Sequence, residues 1–173
     1  MPTALCSCSL HGARPCAARR GCAIVSINPL KERALERFAH PQEPLALFGR
    51  GTAISTHYLQ VRINGDAALL RGVAKSLLAL HREVPDAGYV DQAFIDTHTV
   101  GFQAYVDAVD QTPWSRIVED SGIDEATIRD IGALYGHSKR AIICWAMGLT
   151  QHENGVANVQ EVVNLLLMRG NIG

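Results

Sequence analysis

The chain has 173 residues, 47% of them hydrophobic, with 16 Lys and Arg against 17 Asp and Glu. That length and apolar content support one domain with a sizeable core, and the near cancellation of charge excludes a global field that would draw nucleic acid or an anionic membrane. No stretch approaches the ~18 consecutive apolar residues of a membrane span, and the opening residues hold Arg14, Arg19 and Arg20 without the continuous apolar block of a secretory signal, so a soluble, cytoplasmic chain is expected.

Residues 1–20 mix Cys, Arg, Ala and Pro without a period and predict an irregular start. Cys6, Cys8, Cys16 and Cys22 crowd this end and Cys144 lies in an apolar run. Their spacing matches neither a disulfide framework nor paired metal ligands, so Cys22 and Cys144 read as small core residues. From Cys22 to Asn28 a short apolar run predicts a strand, stopped at Pro29 because proline cannot donate to a ladder. Leu30 to Phe38 has helical composition. His40 to Thr56 holds two Pro and two Gly and predicts a surface loop, in which Gly49-Arg50-Gly51 is a turn more readily than a phosphate cradle. Leu59 to Ile63 alternates as a short strand does.

Asn64-Gly65-Asp66 opens a long helix, with Asp66 placed to cap it and Leu69, Leu70, Val73, Leu77, Leu80 and Val84 recurring at helical steps. Shorter helices are predicted from Asp91 to Thr97 and from Gly101 to Val109. Thr112-Pro113 introduces another over Trp114 to Asp120, and Asp124 introduces the next, with Ile128, Ile131, Leu134 and Tyr135 on one face. Ala141 to Met147 returns to strand, and Val156 to Met168 closes as a helix with Gly170 just past its end. Strand, helix, strand, helix in this order predicts an α/β fold with parallel strands.

An apolar strand followed by a small, polar loop and a helix is how an open parallel sheet offers backbone and amides to a ligand. Asn28 and Pro29 stand where the first strand stops, either as a plain Asn-Pro turn or beside a ribose or base. Asp66 is a helix cap or, with a guanine nearby, its carboxylate acceptor. After the last strand, Gly148 allows close approach, and Thr150, Gln151, His152 and Asn154 supply donors and acceptors that serve either a ligand or the turn itself. Walker, Gly-x-Ser-x-Gly and His-Glu-x-x-His motifs are missing, and Trp114 and Trp145 read as packing residues.

Gly21 to Leu30, Asn64 to Leu69, Cys144 to Gly155 and Asn164 to Gly173, in that order, resemble the molybdopterin oxidoreductases, and most of all their formate dehydrogenase-like alpha-subunit branch. The resemblance covers residues 21–173 and implies a Rossmann-like open, mostly parallel sheet with helices on both faces, part of a larger multidomain fold. It implies part of the domain that grips one molybdopterin guanine dinucleotide of a bis-MGD molybdenum cofactor. Asn28, with Pro29, then falls where many relatives have an Asp near the guanosine ribose. Gly65 and Asp66 fall in a Gly-Thr-Asp-like motif near the guanine, here Asn-Gly-Asp. Met147, Gly148 and Gln151 fall in the loop lining the cofactor.

The partners so implied are the remainder of the enzyme chain, a small-molecule substrate and an electron acceptor, with a possible iron-sulfur cluster and the molybdenum ligand outside this stretch. Alone it is expected to be inactive. Two alternatives remain at this point: a nucleotide-binding Rossmann-like module without redox activity, and an interaction protein whose amino-terminal cysteines bind metal.

Overall fold

The computed structural model describes residues 2–6, 22–38 and 52–172. Strands β1 (Pro2–Cys6) and β2 (Ala23–Ile27) come first, then the one-turn helix α1 (Arg33–Glu36), the two-residue strands β3 (Arg37–Phe38) and β4 (Thr52–Ala53), and β5 (His57–Leu59). Helices α2 (Asp66–Glu83), α3 (Gln92–His98), α4 (Phe102–Gln111), α5 (Trp114–Ser121) and α6 (Glu125–His137) lead to β6 (Arg140–Cys144), the short α7 (Met147–Thr150) and α8 (Gly155–Met168). The fold is α/β. β1, β2, β5 and β6 form a parallel sheet in the order β5-β2-β1-β6, with Thr3 opposite both Ala23 and Ala141, while β3 and β4 pair antiparallel.

Ile24, Val25 and Ser26 are buried in succession, so both faces of β2 are covered at its centre. Helix α2 is the hub of the core. Leu69, Leu70, Val73 and Leu77 are buried as their spacing predicts, and each fully buried leucine contributes about 1.5–3 kcal/mol relative to exposure. Leu80 is half-buried and Val84 exposed, because the helix ends at Glu83 and the chain turns at Pro85. On α6, Ile128, Ile131 and Tyr135 are buried and Leu134 packs at their edge. The Tyr135 hydroxyl donates to Leu165 O at 2.7 Å, and burial pushes its pKa up to about 12.

Polar groups tie the helices together. Glu161 of α8, only 4% exposed, accepts from the Arg71 guanidinium of α2, with Nε at 2.9 Å, and from the Tyr105 hydroxyl of α4 at 2.8 Å. Burial and the facing Glu161 carboxylate push the Tyr105 hydroxyl well above its usual range. Asp91, expected as the first residue of its helix, caps α3 instead, and Asp124 introduces α6 as its cap; they accept from Phe94 N at 3.0 Å and Thr127 N at 2.9 Å.

Several boundaries differ from the sequence reading. Pro2–Cys6, inside the stretch expected to be irregular, forms a central strand; residues 7–21, with Cys8 and Cys16, lie outside the described residues, as does Gly49-Arg50-Gly51. Leu30 to Phe38 is helical only over α1 before joining β3. β5 stops at Leu59, and beyond it the amide of Arg62 bonds to Ser121 O, 2.8 Å distant. Asp66 is not the cap: Gly65 holds that position without a side-chain hydrogen bond, and Asp66 is the first helical residue. Thr112 spends its hydroxyl on Ala108 O at the end of α4, which leaves Pro113, rather than Thr112, at the cap of α5. β6 ends at Cys144, and Trp145 is 39% exposed rather than packed. Cys22 and Cys144 are free and half-buried.

Candidate functional site

Beyond the carboxyl ends of β2 and β5 lies a cavity of about 890 Å³. One wall is the turn Asn28–Leu30, another runs from Gln60 to Ile63 and on to Asp66 at the start of α2, and a third is Gly148, Leu149 and His152 around α7. Gly122 and Ile123, just past α5, close the floor. A second cavity of about 540 Å³ lies across the first turns of α2, but its two arginines are engaged, Arg71 with Glu161 and Arg116 with Asp120. The larger one gathers residues from the segments that follow β2, β5 and β6.

Local folding explains each wall. The Asn28 amide donates to Leu59 O at 3.1 Å, and its Nδ2 donates to Leu30 O at 2.7 Å and Glu32 Oε1 at 3.1 Å. Asn28 thus closes its turn and lines the cavity at once. Gln60 Nε2 donates to Pro29 O at 3.0 Å, fastening the second wall to the first. The Arg62 guanidinium donates to Glu119 O and lies over Gly122, whose φ of 74° is the left-handed conformation that glycine adopts without strain. A Cβ on Gly148 would meet nothing within 4 Å, so its backbone is open to a ligand.

Of the residues singled out in the sequence, Asn28, Pro29, Asp66, Gly148 and His152 line this one cavity. Gly65, Met147 and Gln151 do not. Gly65 is buried under the end of α5, where a Cβ would stand 2.6 Å from Asp120 O. Met147 is 67% exposed, and Gln151, also exposed, reaches Met147 Sδ with Nε2 at 3.6 Å. Gln60 and Arg62 were missed; they are the outward members of the alternating run that the sequence reading took for a strand. Among the described residues no group of three or more His, Cys, Asp or Glu is placed to hold a metal ion, and no helix is long and apolar enough to cross a membrane.

Burial pushes the Asp66 carboxyl above its ordinary pKa, while its own backbone amide and the neighbouring His152 pull it back in part. A carboxyl whose folded pKa is raised binds its proton more tightly in the folded than in the unfolded chain, so this group costs stability once pH rises above its unfolded value. Asp66→Asn is therefore expected to unfold at a higher temperature than the wild type at pH 7, with the difference vanishing below about pH 4, near the unfolded pKa of Asp. Thermal melts of both proteins across that range check it. Its place in the cavity together with this cost makes Asp66 a candidate site residue.

No family model matches the chain. It is 43% identical over 159 residues to Protein YdeP of Escherichia coli, covering 90% of this chain and 21% of that one. An uncharacterized oxidoreductase of Mycobacterium tuberculosis is 40% identical over 157 residues, covering 91% of this chain and 20% of that one. Formate dehydrogenase H of Escherichia coli is 36% identical over 109 residues, covering 61% of this chain and 15% of that one. The structure of acetylene hydratase from Pelobacter acetylenicus superposes with a TM-score of 0.75 over 99% of this chain and 21% of that one, at 18% identity, which shows a shared fold. The chain thus spans about a fifth of the length of its first relatives. These relatives show that the chain belongs to the molybdopterin oxidoreductase family.

Proposed function

We propose that the 890 Å³ cavity grips the guanosine end of one molybdopterin guanine dinucleotide, in a molybdenum-dependent oxidoreductase of formate dehydrogenase type. The observation that carries this reading is convergence: Asn28, Asp66 and Gly148, from three separate motifs, line one cavity beyond the carboxyl ends of parallel strands. The sheet order supports a Rossmann-like architecture. Numbered along the chain, its four parallel strands run 3-2-1-4, the opening half of the doubly wound order whose strand ends receive dinucleotides.

The residues present fit such a group. A guanine edge offers adjacent N–H donors, which suit the Asp66 carboxylate, and a sugar with its phosphates suits the side chains of Gln60, Arg62 and His152 and the open backbone at Gly148. Asn28 and Gln60 would orient the sugar, and Ile27, Leu30, Val61 and Leu149 would exclude water from the base. When bound, the molybdenum cofactor supplies the electron-transfer chemistry, and this chain's residues bind and orient one arm of it. The remaining length of such an enzyme would provide the metal ligand, the substrate and acceptor sites and any iron-sulfur cluster.

The test is ligand-dependent stability. GDP carries the same guanosine diphosphate end, and at a hundred times its dissociation constant it should add about 2.7 kcal/mol to the unfolding free energy of the chain. ADP at the same concentration should add far less. No upward shift of the melting temperature with millimolar GDP sinks the proposal, whereas an equal response to ADP favours a nucleotide-binding module without redox activity.

A further inference from the structure

Asn158, in the first half of α8, is fully buried at 0% exposure yet lines neither of the two cavities. Its Nδ2 donates to Leu149 O at 3.1 Å, within the loop that forms the third wall of the cavity. Its Oδ1 is buried without a hydrogen-bond partner. A side chain selected for packing alone would not carry that acceptor, since buried polar groups without partners are rare and unfavourable. Two neighbours add to the anchoring. A Cβ on Gly155 would collide with Thr150 O and stand 3.0 Å from Thr150 C, so α8 approaches the loop backbone directly. Asn154, at the cap of α8, reaches Asn64 Oδ1 at 3.5 Å, beside the turn that positions Asp66.

We infer that Asn158 is a positioning residue: through the Leu149 carbonyl it fixes Gly148 and Leu149 at the distance from Asp66 that a guanosine nucleotide requires. This deepens the function proposed above and rests on it for the identity of the ligand. Two amide hydrogen bonds report the loop directly, Leu149 N to Ala146 O at 3.1 Å and Gln151 N to Met147 O at 2.8 Å.

Asn158→Leu keeps the branching and the number of side-chain heavy atoms and removes both the donor and the orphaned acceptor. Its melting temperature should match or exceed that of the wild type, while the dissociation constant for GDP, measured by calorimetry, rises at least tenfold. Hydrogen exchange at the Leu149 and Gln151 amides should quicken at least tenfold, with the amides of α6 unchanged. A folded Asn158→Leu chain with wild-type exchange at those amides overturns the inference, as does unchanged GDP affinity. Should this variant fail to fold, Asn158→Ser takes its place with the same expected readouts. If the wild-type chain does not bind GDP, the functional reading falls, and the exchange measurement alone decides the role of Asn158.

Discussion

Gly65→Ala should lower the stability of the chain by about 2–3 kcal/mol, the upper range for forcing an extra methyl into a packed site. The backbone at Gly65 has φ −89° and ψ 0°, which any residue can adopt, so the effect arises from space and not from conformation. The new Cβ would stand 2.6 Å from Asp120 O, 2.9 Å from Ser121 Cα and 3.0 Å from Arg62 O. All three are backbone atoms, and none can swing aside as a flexible side chain would. Relief requires the turn before α2 to separate from the end of α5, breaking the hydrogen bond from Arg62 N to Ser121 O. Arg62, Ile63 and Asp66 would move with it, so GDP-dependent stabilisation should weaken along with the melting temperature. Denaturant titration with and without GDP measures both effects.

Glu161→Ala is expected to be of similar size, at about 2–3 kcal/mol, through a different mechanism. Removing one member of a buried ionic cluster leaves its partners without their acceptor. The Arg71 side chain is 38% exposed and can recover water, which keeps the loss below that of a fully enclosed pair. Tyr105 cannot escape so easily, being half-buried against the core with its hydroxyl held by Glu161. Glu161→Gln should lose less, since an amide oxygen still accepts from one partner. Urea unfolding of the two variants, compared at one pH, separates loss of the hydrogen bonds from loss of the charge.

The helical half of the fold is written plainly in the sequence. The three- and four-residue spacing along α2 and α6 names the buried faces, and Asp91 and Asp124 announce their helices because a short acceptor side chain before a helix has one favoured use. The strands are less legible. Five residues of a central strand, Pro2 to Cys6, leave too short a pattern to distinguish from irregular chain, and one of its two neighbours, β6, is remote in sequence. At the site, positions beside strand ends could be found from motif order, which is how Asn28, Asp66 and Gly148 were identified. Which side of a loop a residue faces is set by tertiary contacts. For that reason Met147 and Gln151 point elsewhere, Gly65 serves packing, and Gln60 and Arg62 escaped notice.

The order of the strands bears on how the molecule assembles. Helices α2 to α6 occupy one unbroken stretch, Asp66 to His137, and α2 packs on α4, α5 and α6, so this subassembly can condense through near-neighbour contacts. β1 pairs with β2, the next strand, and with β6 from the opposite end of the chain, and the second pairing closes the far longer loop and carries the larger entropic penalty. The cavity borrows walls from the turn before α2, from the end of α5 and from the segment after β6, so it is complete only once the helical stretch and both ends of the chain are in place.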